Sequence, residues 1–386
     1  MLETLTDQIR AAYASGTSLR IEGGGSKAFY GHTVAGDILD SRGLNGIVDY
    51  QPKELVLTAR AGTPLAEIEA SLASQQQMLA FEPPHFGAAT LGGCIAAGLS
   101  GPRRPYTGAG RDYVLGLRMI DGSGQALRFG GQVIKNVAGY DVSRLMVGAL
   151  GTLGVITEVS LKVLPRPAAE TSLQFEMDET TALVMMNRWA GQALPLSATS
   201  WHAGLLHVRL SGAASAVKAA HVRLGGEVLH DAPAFWQRLR EQHTPFFDKR
   251  PLWRLAVKST TTPLNLGDAQ WIEWGGAVRW LVTADSNAST TMLMRQTASE
   301  AGGHATLFRV SPLPNPDGTT SHSTKLASEQ VAGYLPLAGE GANVILKPIS
   351  GVFTPLSPAL HGIHQQLKQR FDPKRIFNRG RLYPDL

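Results

Sequence analysis

Three sets of glycines punctuate the first 165 residues, at 23–25, 92–98 and 148–154, and they restrict what this chain can become. "SLRIEGGGSKAFYG" sets Gly23, Gly24, Gly25, Ser26 and Lys27 directly after a strand-like apolar run. "ATLGGCIAAG" sets Thr90, Gly92 and Gly93 at the entry of a small-residue helix carrying Ala96, Ala97 and Gly98. "GALGTLGVITE" sets Gly148, Gly151, Thr152 and Gly154 before a final strand. The 42 glycines among 386 residues exceed ordinary usage and crowd the N-terminal half. Glycine permits positive φ and close approach to main chain, so this half is made of tight turns or of loops against which a ligand lies.

Three mechanisms compete for "GGGSK". A nucleotide-triphosphate loop requires Gly-Lys-Ser/Thr in that order, and here the order is Gly-Ser-Lys. A dinucleotide fingerprint is matched formally by Gly23, Gly25 and Ala28, but that loop must open a helix, and "FYGHTVAGD" has no apolar stripe. A nest of inward-turned N–H groups holds an anion without a helix end. For the first loop alone, a ligand-free turn is the open alternative. Three separated glycine sets in one domain fit a long ligand with a diphosphate and two ring systems.

Around these loops the chain alternates helix and strand signals. Leu2, Leu5, Ile9 and Tyr13 share a helical face, and so do Leu65, Ile68 and Leu72. "GIVDYQ", "VLTARAG" and "GVITEVSLKV" predict strands, and "VLGLRMIDGSGQALRFGG" predicts a hairpin turning at Asp121–Gly124. Pro165 and Pro167 close the segment, which sets a first domain at 1–167. From 168 to 340 glycine thins and tryptophan becomes frequent, and two strand–helix–strand passes predict an antiparallel sheet backed by helices. "SPLPNPDGTTSHST", 311 to 324, reads as a mobile loop. Residues 341–386 form a C-terminal segment whose helix carries Leu360, Ile363, Leu367 and Phe371 on one face. The fold class is therefore α+β.

A single cysteine, Cys94, excludes an internal disulfide and also an iron–sulfur cluster held by this chain alone, which takes about four thiolates. No apolar run approaches the ~18 residues of a membrane span, and the N-terminus lacks the order of a signal peptide, so a cytoplasmic protein is expected. The net charge of +5 reads as a solvated basic surface or a face for an acidic partner. Aromatics do not interleave the basic residues as on a nucleic-acid platform.

Taken together, "IEGGGSK", "PPHFGAATLGGCIAAGLSGPRRPYTGAGRD" and "GTLGVITEVSLKV" resemble the FAD-binding domain shared by vanillyl-alcohol oxidase and p-cresol methylhydroxylase, the PCMH-type fold, over about 20 to 167. The resemblance implies two α+β subdomains with FAD extended between them, followed by a smaller α+β cap domain. It implies diphosphate contacts from Gly23, Gly24, Gly25, Ser26 and Lys27. A second group would comprise Thr90, Gly92, Gly93, Ala97, Gly98, Gly108, Arg111 and Asp112. Gly151, Thr152 and Gly154 of the third set, main-chain contacts from Val155 and Ile156, and Asn378 of the tail would complete the site. Some members attach FAD through a histidine in the first loop; Ser26 stands there in this chain, so the attachment implied is noncovalent. Cys94 replaces a common asparagine.

Within that group "KNVAGYD", "GTLGVITEVSLKVLPRP" and "FDPKRIFNRGRLYP" are similar to the FAD-binding subunits of bacterial glycolate oxidases. The likeness implies an FAD-dependent oxidoreductase acting on a short 2-hydroxy acid, working with a larger flavoprotein subunit and an iron–sulfur subunit, at most peripherally attached to a membrane. The alternatives are a stand-alone 2-hydroxy acid dehydrogenase and a noncatalytic structural subunit. Related dehydrogenases carry a Gly-Asp-Gly-Asn-Leu-His stretch and a metal in the cap, and neither that stretch nor a catalytic base can be assigned here. His202 and His207, read on one continuous strand, point to opposite faces and form no metal pair. His361 and His364 share a helix edge. Arg103 and Arg104 sit in a turn or neutralise an anion; Lys135, Asn136 and Arg379 are candidates for the flavin neighbourhood, and the cap tryptophans are read as core or interface.

Overall fold

The computed structural model describes residues 1–131, 141–264, 266–267, 270–310 and 351–386. The opening helix α1 (Leu2–Ser15) buries Leu5, Ile9 and Ala12 and ends where Gly16 takes φ 75°. It covers the parallel pair β1 (Leu19–Glu22) and β2 (Asp37–Asp40), closing a small core with Leu39, Ile120, Val155, Ile376 and Phe377. Then follow β3 (Ile47–Gln51), β4 (Val56–Arg60), α2 (Leu65–Ser74), β5 (Gln77–Met78), α3 (Leu91–Ala97) and α4 (Arg104–Thr107). Next come β6 (Val114–Ile120), β7 (Ala126–Gly130), α5 (Val142–Leu145), β8 (Val155–Lys162) and β9 (Leu164–Pro165). Five of these strands form an antiparallel sheet in the order β3-β4-β8-β6-β7. Its core takes Leu65, Ile68 and Leu72 of α2 and Leu91, Cys94 and Ile95 of α3, all buried. The cleft-lining helix is therefore anchored by one face and presents its small residues with the other.

The second half runs β10 (Ala169–Glu176), α6 (Glu179–Ala190), β11 (Leu196–His202), β12 (Leu205–Gly212), α7 (Ala214–Leu224), β13 (Glu227–Val228), α8 (Ala232–Arg240) and α9 (Pro245–Asp248). It continues through β14 (Leu252–Ala256), β15 (Gln270–Glu273), β16 (Val278–Val282), α10 (Ala288–Glu300) and β17 (His304–Arg309) to α11 (Pro358–Phe371). Among the described residues its strands make one eight-stranded sheet in the order β13-β10-β12-β11-β15-β16-β14-β17, antiparallel throughout. One aromatic core, with Trp236, Phe246, Phe247, Trp271, Trp280 and Phe308, also takes Phe86, Phe29 and Tyr30 from the N-terminal half. Buried charge reinforces that junction. Arg103 binds Glu82 at 3.2 Å and Glu170 at 2.8 Å, and Arg209 binds Glu82 at 2.9 Å. Burial pushes the Glu82 carboxyl upward, but Arg209 and Arg103 outweigh it and hold it below the ordinary carboxylate range. Arg103 is thus a buried brace rather than a surface turn residue.

"SWHAGLLHVRLSG" is a hairpin and not one strand. Ala203 (φ 49°) and Gly204 (φ 82°) turn the chain between β11 and β12. Ser200 lies opposite His207, which brings His202 and His207 to the same face. They remain apart in role: His202 stacks on Trp271 at 4.4 Å and His207 packs on Phe235 at 4.3 Å. Among the described residues no cluster of three metal-ligating side chains occurs.

The α11 stripe is used only in part. Leu360 and Ile363 stay exposed, while Phe371 and, unexpectedly, Lys368 are buried. His361 and His364 face the tail, His361 Nε2 at 2.7 Å from Asp385 and His364 edge-on to Tyr383. The 311–324 loop and the 340/341 boundary lie outside the described residues.

Candidate functional site

β1 ends at Glu22 and the chain turns through Gly23–Lys27 toward the entry of α3. Among the described residues the N–H groups of Gly23, Gly24, Gly25, Ser26 and Lys27 meet no acceptor, whereas the following turn closes on itself through Ala28 N to Gly25 O and Tyr30 N to Lys27 O, both 3.0 Å. Gly25 sits at φ 68°. Gly24 is needed for space: a Cβ there would lie 1.5 Å from the carbonyl oxygen of Ala88. Of these residues Ser26 is buried, Gly23, Gly24 and Lys27 are half-buried and Gly25 is exposed; successive main-chain donors left without a protein acceptor in a glycine loop fit an anion held by backbone.

The second glycine set works differently. Thr90 caps α3, its Oγ1 accepting from Gly93 N at 3.3 Å; Gly92 N donates to Ala61 O at 2.7 Å and Leu91 N to Thr63 O at 2.9 Å. Its donors are already engaged within the protein, so this set contributes close approach and not hydrogen bonds. A Cβ at Gly92 would meet Ala61 Cβ at 2.8 Å, which keeps α3 pressed on the end of β4.

Between these loops runs a cleft of about 320 Å³, walled also by Ala96, Ala97, Leu150, Gly151, Gly154 and Ile156. The chain's far end completes it. Asn378 accepts from Ile21 N at 2.9 Å through Oδ1 and donates to Leu150 O at 2.7 Å through Nδ2, so it ties the first strand to the third glycine set. Arg381 donates to the carbonyls of Lys27, Ala28 and His32 and clamps the first loop from outside. Sequence reasoning chose Arg379 instead, which is exposed; Gly380 (φ 80°) turns the chain and brings Arg381 to the cleft. Lys27 Nζ donates to His85 O at 3.1 Å and Ser26 Oγ at 3.3 Å, and burial pushes its pKa down. Burial lifts the Cys94 thiol to about 12, so it stays an inert neutral core group.

Several residues expected at this site lie elsewhere. Gly108, Arg111 and Asp112 belong to a separate turn, where Asp112 accepts from Ala109 N at 2.8 Å and Arg111 is exposed. Strand alternation turns the Val155 side chain into the core under α1 while Ile156 lines the cleft, so the contact expected from Val155 is one its main chain alone can make. Thr152 faces away, its Oγ1 bonded to Ala149 O and its carbonyl to Lys368. Lys135 and Asn136 lie outside the described residues.

A second cavity of about 170 Å³ begins where the cleft ends: Ala97 lines both, and Gly98 and Arg104 line the second. Its far wall is the eight-stranded sheet and the turn after β15, with Arg254, Glu273 and Trp274. Glu273 is 6% exposed and accepts from Trp280 Nε1 at 2.6 Å; burial, outweighing that bond and Arg254, raises its pKa from 4.5 to about 7. The folded state therefore holds a proton that the unfolded chain releases. The stability this provides is complete below about pH 4.5 and lost as pH rises through about 7. Thermal midpoints followed from pH 5 to 8 should fall less for Glu273→Gln than for the parent; parallel curves would contradict the assignment.

Three comparisons bear on this geometry. A family described as FAD binding domain matches residues 2–130. Glycolate oxidase subunit GlcE of Escherichia coli (strain K12) is 46% identical over 387 aligned residues, spanning 100% of this chain and 98% of that protein. The D-2-hydroxyglutarate dehydrogenase of Xanthomonas citri pv. viticola is 30% identical over 43% of this chain and 36% of its own length. Among solved structures, alkyldihydroxyacetonephosphate synthase shares the fold at a TM-score of 0.60 and 16% identity, covering 97% of this chain and 75% of that one.

Proposed function

The chain belongs to the family of the glycolate oxidase subunit GlcE, and from that premise we propose that it holds FAD noncovalently along the cleft between the 23–27 loop and α3, as one subunit of a 2-hydroxy acid-oxidising complex. It is an FAD-dependent oxidoreductase of the PCMH-type fold. Bound FAD supplies the two-electron oxidation of the alcohol carbon. The observation that carries the cofactor site is the run of N–H groups at Gly23–Lys27 without a protein acceptor among the described residues, in a loop that lines the same cleft as Gly92, Gly93, Ala96 and Ala97 of α3. In this reading those donors hold the diphosphate, Gly92, Gly93, Ala96 and Ala97 let the ligand lie against the helix, and Gly151, Gly154 and Ile156 line its other side. Asn378 and Arg381 fix the loops without touching the reacting atoms. Ser26 offers no ring nitrogen for covalent attachment.

The division at 167/168, with a cap at 168–340 and a returning tail at 341–386, belongs to the same proposal. So do the partners. One buried cysteine builds no iron–sulfur cluster, so electrons leaving FAD would pass to an iron–sulfur subunit, with a larger flavoprotein subunit beside it. Among the described residues no helix is long and apolar enough to cross a membrane, and we assign at most peripheral attachment through the complex at the inner membrane face.

Affinity purification of the tagged chain from its host, with flavin and iron assayed in whatever copurifies, tests this. Two flavins and iron in one assembly are expected, with this chain's flavin released into the supernatant by acid. An active, iron-free homo-oligomer would favour a stand-alone dehydrogenase and overturn the subunit assignment.

A further inference from the structure

The cavity beyond Ala97 is chemically unlike the cleft. Its volume of about 170 Å³ is below the roughly 300 Å³ at which pockets for drug-sized ligands begin, so it suits a ligand of a handful of non-hydrogen atoms. Arg254 enters it from β14. Among the described residues the guanidinium has no ion pair or hydrogen bond; what holds it is the face of Trp274 at 4.9 Å and of Trp280 at 5.8 Å. A half-buried guanidinium fixed by ring faces keeps its planar fork of donors for a carboxylate. Gln242 lines the same cavity, is 4% exposed, and its side-chain oxygen meets no donor among the described residues. A buried acceptor left in this state costs free energy unless a ligand satisfies it.

Trp274 is held there deliberately. Its φ of 57° is unusual for a bulky side chain, and the surroundings enforce it: Trp274 Nε1 donates to Gly101 O at 3.1 Å, Gly275 N to Thr199 Oγ1 at 2.9 Å, and Asn187 Nδ2 to Gly275 O at 3.3 Å. The indole also carries Arg104 on its ring at 4.4 Å. Strained backbone that neighbours over-determine clusters at functional sites.

The geometry points to a binding site within this chain for a small monocarboxylate bearing a hydroxyl, with Arg254 taking the carboxylate, Gln242 the hydroxyl, and Trp274 limiting length. The inference rests on the flavin reading above, because only a cleft filled with FAD would put a redox group beside this cavity. It assigns the acid to this chain rather than to a partner subunit.

Glycolate, acetate and 2-hydroxyglutarate, titrated calorimetrically into the FAD-loaded full-length chain under anaerobic conditions, test it. Glycolate is expected to bind, and Arg254→Met to weaken it at least tenfold while flavin content is unchanged, with Arg254→Lys recovering part of the loss. Gln242→Leu should weaken glycolate severalfold and leave acetate unaffected, a difference that a merely structural role would not produce. The parent should reject 2-hydroxyglutarate. Full flavin occupancy with no glycolate binding, or equal binding by Arg254→Met or by Gln242→Leu, overturns the site while leaving the flavin reading intact. Loss of flavin from the parent chain would instead remove the premise. If Arg254→Met fails to fold, Gln242→Leu alone decides.

Discussion

Gly24→Ala is expected to strip the chain of flavin. The added methyl would sit 1.5 Å from the Ala88 oxygen and 2.7 Å from its carbonyl carbon, and contacts with main chain cannot be relieved by a rotamer change. Ala88 cannot retreat, because Ala89 N is bonded to Gly87 O and Ala89 O accepts from Leu65 N at the start of α2. The 23–27 loop must therefore lift from the Thr90 turn, and the donors of the nest lose their common centre. Flavin per chain, read from visible absorbance after gel filtration, should fall below about a tenth of the parent value, since losing several charge-assisted hydrogen bonds at about 1.5–3 kcal/mol each far exceeds one tenfold step. Gly25→Ala is the control. Its Cβ meets only Glu22 Oε1 at 3.7 Å, so the penalty is the left-handed backbone, about 1–2 kcal/mol, and most flavin should be retained. Full occupancy in Gly24→Ala would refute the loop packing described above.

The second large effect is expected at Lys368→Met. Lys368 Nζ donates at 2.8 Å to each of Thr152 O, Asp372 Oδ2 and Phe377 O, and Asp372 in turn accepts from Ile376 N and Phe377 N. Both side chains are essentially excluded from solvent. Burial lowers the lysine pKa, opposed by the adjacent Asp372. Removing one partner leaves an uncompensated charge in the interior, which costs about 3–5 kcal/mol. Chemical denaturation should show that loss. Adding Asp372→Asn to Lys368→Met should recover part of it, because Asn can still accept from the tail amides. A single variant within about 1 kcal/mol of the parent would mean that the pair contributes little beyond an ordinary exposed ion pair.

Much of the fold was legible because it is written in local periodicity. The faces of α1 and α2, the β6–β7 hairpin and the three glycine turns all follow from neighbours within a few residues. The hairpin at Ala203–Gly204 leaves only a weak mark: Gly204 stands alone, alanine occupies the other positive-φ position where Asn, Asp or Gly is usual, and the apolar run resumes at once on its far side. The site divides in the same way. Gly23–Lys27 stands out by composition, whereas Gly108, Arg111 and Asp112 join the Thr90 group only through the family resemblance, and in the fold they form a separate turn. Arg381 was missed because alternation cannot be followed through a turn in which Asn378 (φ 37°) and Gly380 both take positive φ. Pairs such as Glu82 with Arg209, 127 positions apart, and a cavity joining Ala97, Gln242, Arg254 and Trp274, leave no mark in any local window.

The seam between Leu19, Ile21 and residues 376–381 also bears on biosynthesis. A ribosome that has released only the first 370 residues exposes the loop proposed to hold the diphosphate while the residues that brace it, Ile376 on Leu19 and Asn378 on Ile21, are still inside the exit tunnel. With the cofactor in the proposed cleft, its capture is expected to wait for the late segment to emerge and lie beside the earliest strand. A nascent chain stalled before that point should carry no colour, however well its central sheet has already formed.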